Sequence, residues 1–125
     1  MINEALGWLG ITLGILGGAC LGLGYDREGW MGGYGSLRRR LLRLGHIALI
    51  ALGFLNILFA HSLARIGLDV RSLSIASWCL AIGAFAMPAC CFLNAWRNSF
   101  KHLFGVPVVL LATGCAMVFY GLVTS

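Results

Sequence analysis

The chain has 125 residues, of which 60% are hydrophobic and only 10% are charged, and its mean hydropathy is +0.92. Soluble domains carry about 45–50% apolar and about 25% charged residues, and a short chain cannot bury so much apolar surface in water. The composition therefore excludes a soluble enzyme. The 9 Lys and Arg residues lie between apolar runs, as charges that flank membrane spans do, so we expect no nucleic-acid partner.

Four apolar runs are each long enough to cross a membrane: residues 5–24, 44–64, 73–96 and 103–123. A helical span needs roughly 20 apolar residues, whereas a barrel strand needs only about 10 with alternating polarity. Helices also satisfy every backbone polar group inside lipid. The sequence therefore predicts an all-α membrane protein, with four transmembrane helices in a small bundle that forms a single domain over residues 1–125.

The loops between these runs differ in their content of Lys and Arg. The first and third loops together hold seven of these residues, whereas the second loop holds only Arg65 and Arg71. Cytoplasmic loops carry the excess of basic residues in membrane proteins. We therefore expect a multi-pass protein of the cell inner (plasma) membrane, with the first and third loops in the cytoplasm and both termini outside.

The first run carries a glycine at every fourth position: Gly10, Gly14, Gly18 and Gly22. Residues four apart lie on one face of a helix, so this stripe offers a surface without side chains to a closely packed helix. The pattern is typical of a glycine zipper. The sequence leaves open whether the partner is another helix of the chain, a second copy or a different protein.

Asn56 and Asn94 are the main amide side chains inside the apolar runs. A polar group that faces lipid is costly, so we expect both amides to face other helices. Hydrogen bonds of this kind contribute about 0.6 kcal/mol each on average. These two residues are therefore predicted to hold the bundle together.

A basic segment, residues 38–43, follows the first run. Ser36 precedes it and is a residue type that caps helices, so the segment predicts a short amphipathic helix on the membrane surface. Arg39, Arg40 and Arg43 are expected to contact anionic lipid head groups, where each cation contributes about 1 kcal/mol. Propionates of a bound haem are the alternative partners of these arginines.

His46 and His102 begin the second and fourth runs, so the predicted topology gives them one depth in the membrane. Two neutral imidazoles from different helices can bind a b-type haem from its two faces. A haem b electron-transfer protein ligated by His46 and His102 is therefore one functional hypothesis. No closely spaced metal-binding motif occurs, so the sequence predicts no metal site, and the absence of any cofactor is the leading expectation.

The leading hypothesis is a small non-enzymatic integral membrane subunit or accessory protein that packs into a larger complex, such as a respiratory or photosynthetic one. Three observations favour it: the glycine stripe, the lack of a charge in mid-span and the small extramembrane mass. Its expected partners are a bilayer with anionic head groups and other membrane subunits or a second copy. A small dimeric transporter or channel is a further alternative, although ion-coupled transport usually uses a carboxylate in mid-span.

Overall fold

The computed structural model describes residues 2–125, which form helices and no strand. Its four α-helices are α1 (Ile2–Gly22), α2 (Leu37–Ser62), α3 (Val70–Trp96) and α4 (Gly105–Val123). Short 3₁₀ turns follow α2 and precede α4. All four helices are long and apolar enough to cross a membrane, judged by length and composition. The prediction of an all-helical chain with four span-length helices is confirmed.

The second helix begins earlier than its apolar run. Ser36 caps α2, and its hydroxyl accepts a hydrogen bond from the backbone N–H of Arg39 at 3.2 Å. The basic residues therefore form the first turns of α2 and continue directly into its apolar run. The predicted separate surface helix over residues 38–43 is wrong, because no helix break separates these residues from residue 44 onward.

The third helix also starts from a capped end. The carboxylate of Asp69 accepts hydrogen bonds from the backbone N–H groups of Arg71 at 3.1 Å and Ser72 at 3.2 Å. A side-chain oxygen at this position satisfies N–H groups that have no partner within the helix. The helix consequently begins at Val70, three residues before the predicted run.

Neighbouring helices pack in chain order, α1 on α2, α2 on α3 and α3 on α4, with a smaller contact between α1 and α3. Contacts between helix ends show that successive helices are antiparallel. Asn3 of α1 bonds to Asn56 late in α2, and Arg38 early in α2 bonds to Ala95 late in α3. We call the end that holds Asn3 and Ser125 the terminal end, and the opposite end the basic end.

The apolar core lies towards the terminal end, where Phe59, Ile66, Ala76 and Leu80 form a buried cluster. Small residues of α4 allow that helix to approach the cluster. A Cβ atom added to Gly114 would lie 2.8 Å from the side chain of Leu80. Helix α4 packs mainly on α3, so most of its surface lies outside the bundle.

Candidate functional site

Part of the glycine stripe of α1 lies in the interface with α2. A Cβ atom added to Gly10 would lie 3.1 Å from the carbonyl oxygen of Leu49, and one added to Gly14 would lie 3.0 Å from that of His46. Both distances are shorter than ordinary van der Waals contact with a side-chain carbon. At these two positions the surface without side chains is thus occupied by a helix of the same chain.

The approach of α1 to α2 changes along the stripe. A Cβ atom on Gly18 would lie 3.0 Å from the imidazole ring of His46, whereas one on Gly22 would meet no heavy atom of the described chain within 4 Å apart from its own turns of α1. Near the terminal end, a Cβ atom on Gly53 of α2 would lie only 2.7 Å from the carbonyl oxygen of Gly7. The two helices are therefore closest at the terminal end and separate towards the basic end.

An amide network joins three helices at the terminal end. The side-chain nitrogen of Asn3 donates to Asn56 Oδ1 at 2.8 Å and to the carbonyl oxygen of Ser77 at 3.0 Å. The Ser77 hydroxyl donates to Asn3 Oδ1. The side-chain nitrogen of Asn56 donates to the carbonyl oxygens of Leu52 at 3.0 Å and Leu80 at 3.2 Å. Asn3 and Asn56 are 3% and 1% exposed, so both amides of the network are buried.

The two predicted amides behave differently in the structure. Asn56 bonds across helices, but the side-chain nitrogen of Asn94 donates to the carbonyl oxygen of Cys90 in its own helix at 2.9 Å. The Oδ1 atom of Asn94 is buried and has no hydrogen-bond partner within residues 2–125. Sequence reasoning missed Asn3 and Ser77. Asn3 lies in the first turn of α1 and Ser77 lies two turns inside α3, and their meeting with Asn56 depends on how the helices are rotated.

Arg39 lies beneath the loop that follows α1 at the basic end. Its side chain is 2% exposed, and one terminal nitrogen donates to the carbonyl oxygens of Gly24 at 3.4 Å, Tyr25 at 3.3 Å and Arg27 at 3.1 Å. The guanidinium carbon also lies 5.3 Å and 5.4 Å from the ring centroids of Tyr25 and Trp30. A cation is stabilised there by aromatic faces and by the partial negative charge at the end of a helix. Arg39 thus fastens the loop onto α2.

The predicted set Arg39, Arg40 and Arg43 is divided among three environments. Arg39 is turned inwards rather than towards lipid head groups or a haem propionate, and its Nε atom is buried without a partner among residues 2–125. Arg43 lies over the ring of Tyr34, with 5.1 Å between the guanidinium carbon and the centroid. Arg40 is exposed, and neither a hydrogen bond nor an ion pair of its side chain occurs in the described part of the chain.

A groove opens beside Arg38, between the start of α2 and the end of α3. The Nε atom of Arg38 donates to the carbonyl oxygen of Ala95 at 2.8 Å. The cavity has a volume of about 340 Å³, and the residues that line it are Met31, Arg38, Leu42, Phe92, Ala95 and Trp96. Sequence reasoning used Arg38 for topology and as part of the basic segment 38–43, and it did not predict the groove, because nothing in the sequence aligns the starts and ends of neighbouring helices.

The two histidines of the haem hypothesis lie on different elements. The His46 ring packs against Gly18 of α1, and its Nδ1 atom is buried with no partner in residues 2–125. His102 is exposed in the 3₁₀ segment Asn98–Phe104, which packs on α3 and α4. The haem site stays a prediction. Residues 2–125 also contain no group of three His, Cys, Asp or Glu residues that could hold a metal ion.

The two ends of the bundle therefore differ in the chemistry that they offer. The buried amides Asn3 and Asn56 bond to each other and to the backbone, so they leave little capacity for a ligand. The arginines of the basic end keep guanidinium N–H groups that the described residues do not use, and such groups suit phosphate or carboxylate. No protein-family model matches the chain, and comparisons with curated proteins and with solved structures likewise give no match.

Proposed function

We propose that the chain is a small non-enzymatic integral membrane protein that packs as a subunit or accessory protein into a larger membrane complex. Its basic end lies on the cytoplasmic side of the inner (plasma) membrane, and both termini lie outside. The observation that carries the proposal is the position of α4, which packs mainly on α3 and leaves its opposite face without a partner among residues 2–125.

Charge and aromatic residues support the orientation across the membrane. The basic end holds seven Lys and Arg residues, and the terminal end holds only two. Trp30 and Trp96 lie at the basic end, whereas Trp8 and Trp78 lie in the parts of α1 and α3 nearer the terminal end. Tryptophan is enriched at both membrane–water interfaces, and cytoplasmic segments are enriched in basic residues. This distribution is the one that a spanning bundle needs.

The free face of α4 supports the proposal of a protein partner. Pro107, Gly114 and Gly121 are the buried residues of this helix, and they point towards the rest of the bundle. Ala112 and Ala116 are exposed, four residues apart, on the opposite face. Small residues at this spacing let helices approach closely in lipid. A second helix can therefore pack on this face without displacing any contact of the fold.

Purification in mild detergent with mass spectrometry of co-eluting proteins tests the proposal. We expect wild type to elute as an assembly with one defined partner, and Ala116→Leu to elute alone because the added side chain holds the partner helix away. Ala19→Leu is the matched control, since Ala19 is exposed on the outer face of α1. Elution of wild type as a single chain from its native membrane would contradict the proposal. A second copy as the partner would restrict it to self-assembly.

A further inference from the structure

We propose that the groove beside Arg38 binds one anionic phospholipid, with the phosphate on the Arg38 guanidinium and part of an acyl chain in the groove. The inference rests on the membrane placement proposed above and adds a specific lipid site to it. The groove opens at the basic end, where the start of α2 meets the end of α3. Leu42 and Phe92 lie about one helical turn deeper in the bundle than Arg38 and Trp96.

The structure orients Arg38 for a phosphate. Its Nε–H is committed to the carbonyl oxygen of Ala95, which holds the side chain across the mouth of the groove. Its two terminal nitrogens make no hydrogen bond with the described residues, 2–125. A guanidinium held in this way presents parallel N–H donors, the arrangement that binds phosphate through two hydrogen bonds.

Packing and hydrogen bonds hold the apolar lining of the groove in place. The ring of Phe92 lies over Gly45 of α2, where an added Cβ atom would be only 2.6 Å from the ring. On the loop side Met31 has a φ of 53°, a backbone conformation that costs a residue other than glycine about 1 kcal/mol or more. The Ser36 hydroxyl donates to the Met31 carbonyl oxygen at 2.7 Å and holds this conformation. The lining is therefore built by contacts that exist before any ligand binds.

Size and charge favour an anionic phospholipid over other occupants. A volume of about 340 Å³ is at the lower end of the roughly 300–1,000 Å³ typical of ligand pockets. That space suits part of an acyl chain and is too small for a packed helix. The basic end carries seven Lys and Arg residues against two carboxylates, Asp26 and Glu28, so a negative head group is favoured over a zwitterionic one.

Native mass spectrometry of the detergent-purified protein tests the site, because it counts the lipid molecules that the protein retains. The protein is titrated with phosphatidylglycerol or, separately, with phosphatidylcholine of the same acyl chains. We expect wild type to retain one phosphatidylglycerol molecule in preference to phosphatidylcholine. Arg38→Gln should weaken that binding about tenfold or more, as loss of charge-assisted hydrogen bonds does. Leu42→Trp should weaken it similarly, because the indole fills the groove while every charge is kept.

Arg40→Gln is the control, since Arg40 is exposed two residues further along the same helix and its side chain has no bond in residues 2–125. It removes the same charge from another face, so we expect binding close to that of wild type. Equal weakening by Arg38→Gln and Arg40→Gln would overturn the proposal in favour of general attraction to the basic end. Equal retention of both lipids by wild type would also overturn it. Neither result depends on whether a protein partner co-elutes.

Quenching of tryptophan fluorescence provides a test on the wild-type fold. Trp96 lines the groove and is 86% exposed, so a bound lipid lies next to its indole. Brominated phosphatidylglycerol should quench wild type more than brominated phosphatidylcholine does at equal content in vesicles. Trp96→Phe should remove that difference. If the difference between the two lipids is absent in wild type, or persists in Trp96→Phe, the lipid does not occupy this groove.

Discussion

Both ends of the bundle place polar groups beside an apolar interior, but the two ends satisfy these groups with different partners. At the terminal end, Asn3, Asn56 and Ser77 satisfy one another across three helices. At the basic end, Arg39 is buried against backbone carbonyls and aromatic rings, with no carboxylate partner among residues 2–125. The Nε2 atom of His61 lies 3.6 Å from a carboxylate oxygen of Glu4, also at the terminal end. The terminal end is thus closed by internal pairing, while the basic end keeps an excess of charge for its surroundings.

The largest effect is expected where the helices are closest at the terminal end. Gly7→Leu would place a Cβ atom 2.6 Å from the carbonyl oxygen of Gly53, so backbone must move. We expect a loss of at least about 3 kcal/mol of stability, at the upper end of overpacking effects. Gly22→Leu is the control, since a Cβ atom there meets no atom of the described chain within 4 Å apart from its own turns of α1. Thermal unfolding in detergent checks both, and equal melting temperatures would show that the helices do not approach in this way.

The next effect is the loss of the amide network. Asn56→Ala removes an acceptor from the buried nitrogen of Asn3 and a bond to the Leu80 carbonyl. We expect a cost of about 1–2 kcal/mol, the upper range for interhelical hydrogen bonds in membrane proteins. Asn94→Ala should cost less, because the amide of Asn94 bonds only within α3. A double-mutant cycle of Asn3→Ala with Asn56→Ala measures the coupling, and strict additivity would show that the two amides do not interact.

A local effect is expected when the buried cation of the basic end is removed. Arg39→Gln should release the loop after α1, because three carbonyl oxygens lose their shared donor and two rings lose the guanidinium. Amide hydrogen exchange over residues 24–33 should become faster, while the amides of α3 keep their protection. Arg40→Gln should leave the loop unchanged. Faster exchange in both variants would indicate that total charge, rather than the buried contact, orders the loop.

The smallest effect concerns pH at the capped start of α3. The pKa of Asp69 is lowered below its ordinary value of 3.8 by hydrogen bonds from Ser72. The bond from the Ser72 side chain has the larger effect, and the bond from its backbone N–H the next. The cap therefore contributes stability above that ordinary value and loses it as the pH falls through the lower pKa of the folded state. Asn also caps helices but does not titrate, so the Asp69→Asn variant should not show this loss of stability at low pH. Thermal unfolding measured from pH 5 down to about pH 2 compares the two proteins, and identical profiles would contradict the assignment.

The sequence was sufficient for some parts of the fold because their signals are local. Apolar runs of span length predicted four helices, and Ser36 predicted a helix start. The same local reasoning failed over residues 38–43. It predicted a separate helix there, whereas these residues form the first turns of α2. Helix formation continues through a change from polar to apolar residues, since arginine and leucine both favour the helix. A change in composition therefore does not mark a helix boundary.

The sequence by itself determined the number of span-length helices and the concentration of basic residues between them, since both depend on how residues follow one another along the chain. The tertiary structure alone decided that Arg39 turns inwards while Arg40 is exposed, and that Asn3 meets Asn56 across 53 residues. Those outcomes depend on how each helix is rotated about its axis. A nearly uniform apolar run gives little information on this rotation. The rotation of α2 is therefore set by its packing against α1 and α3.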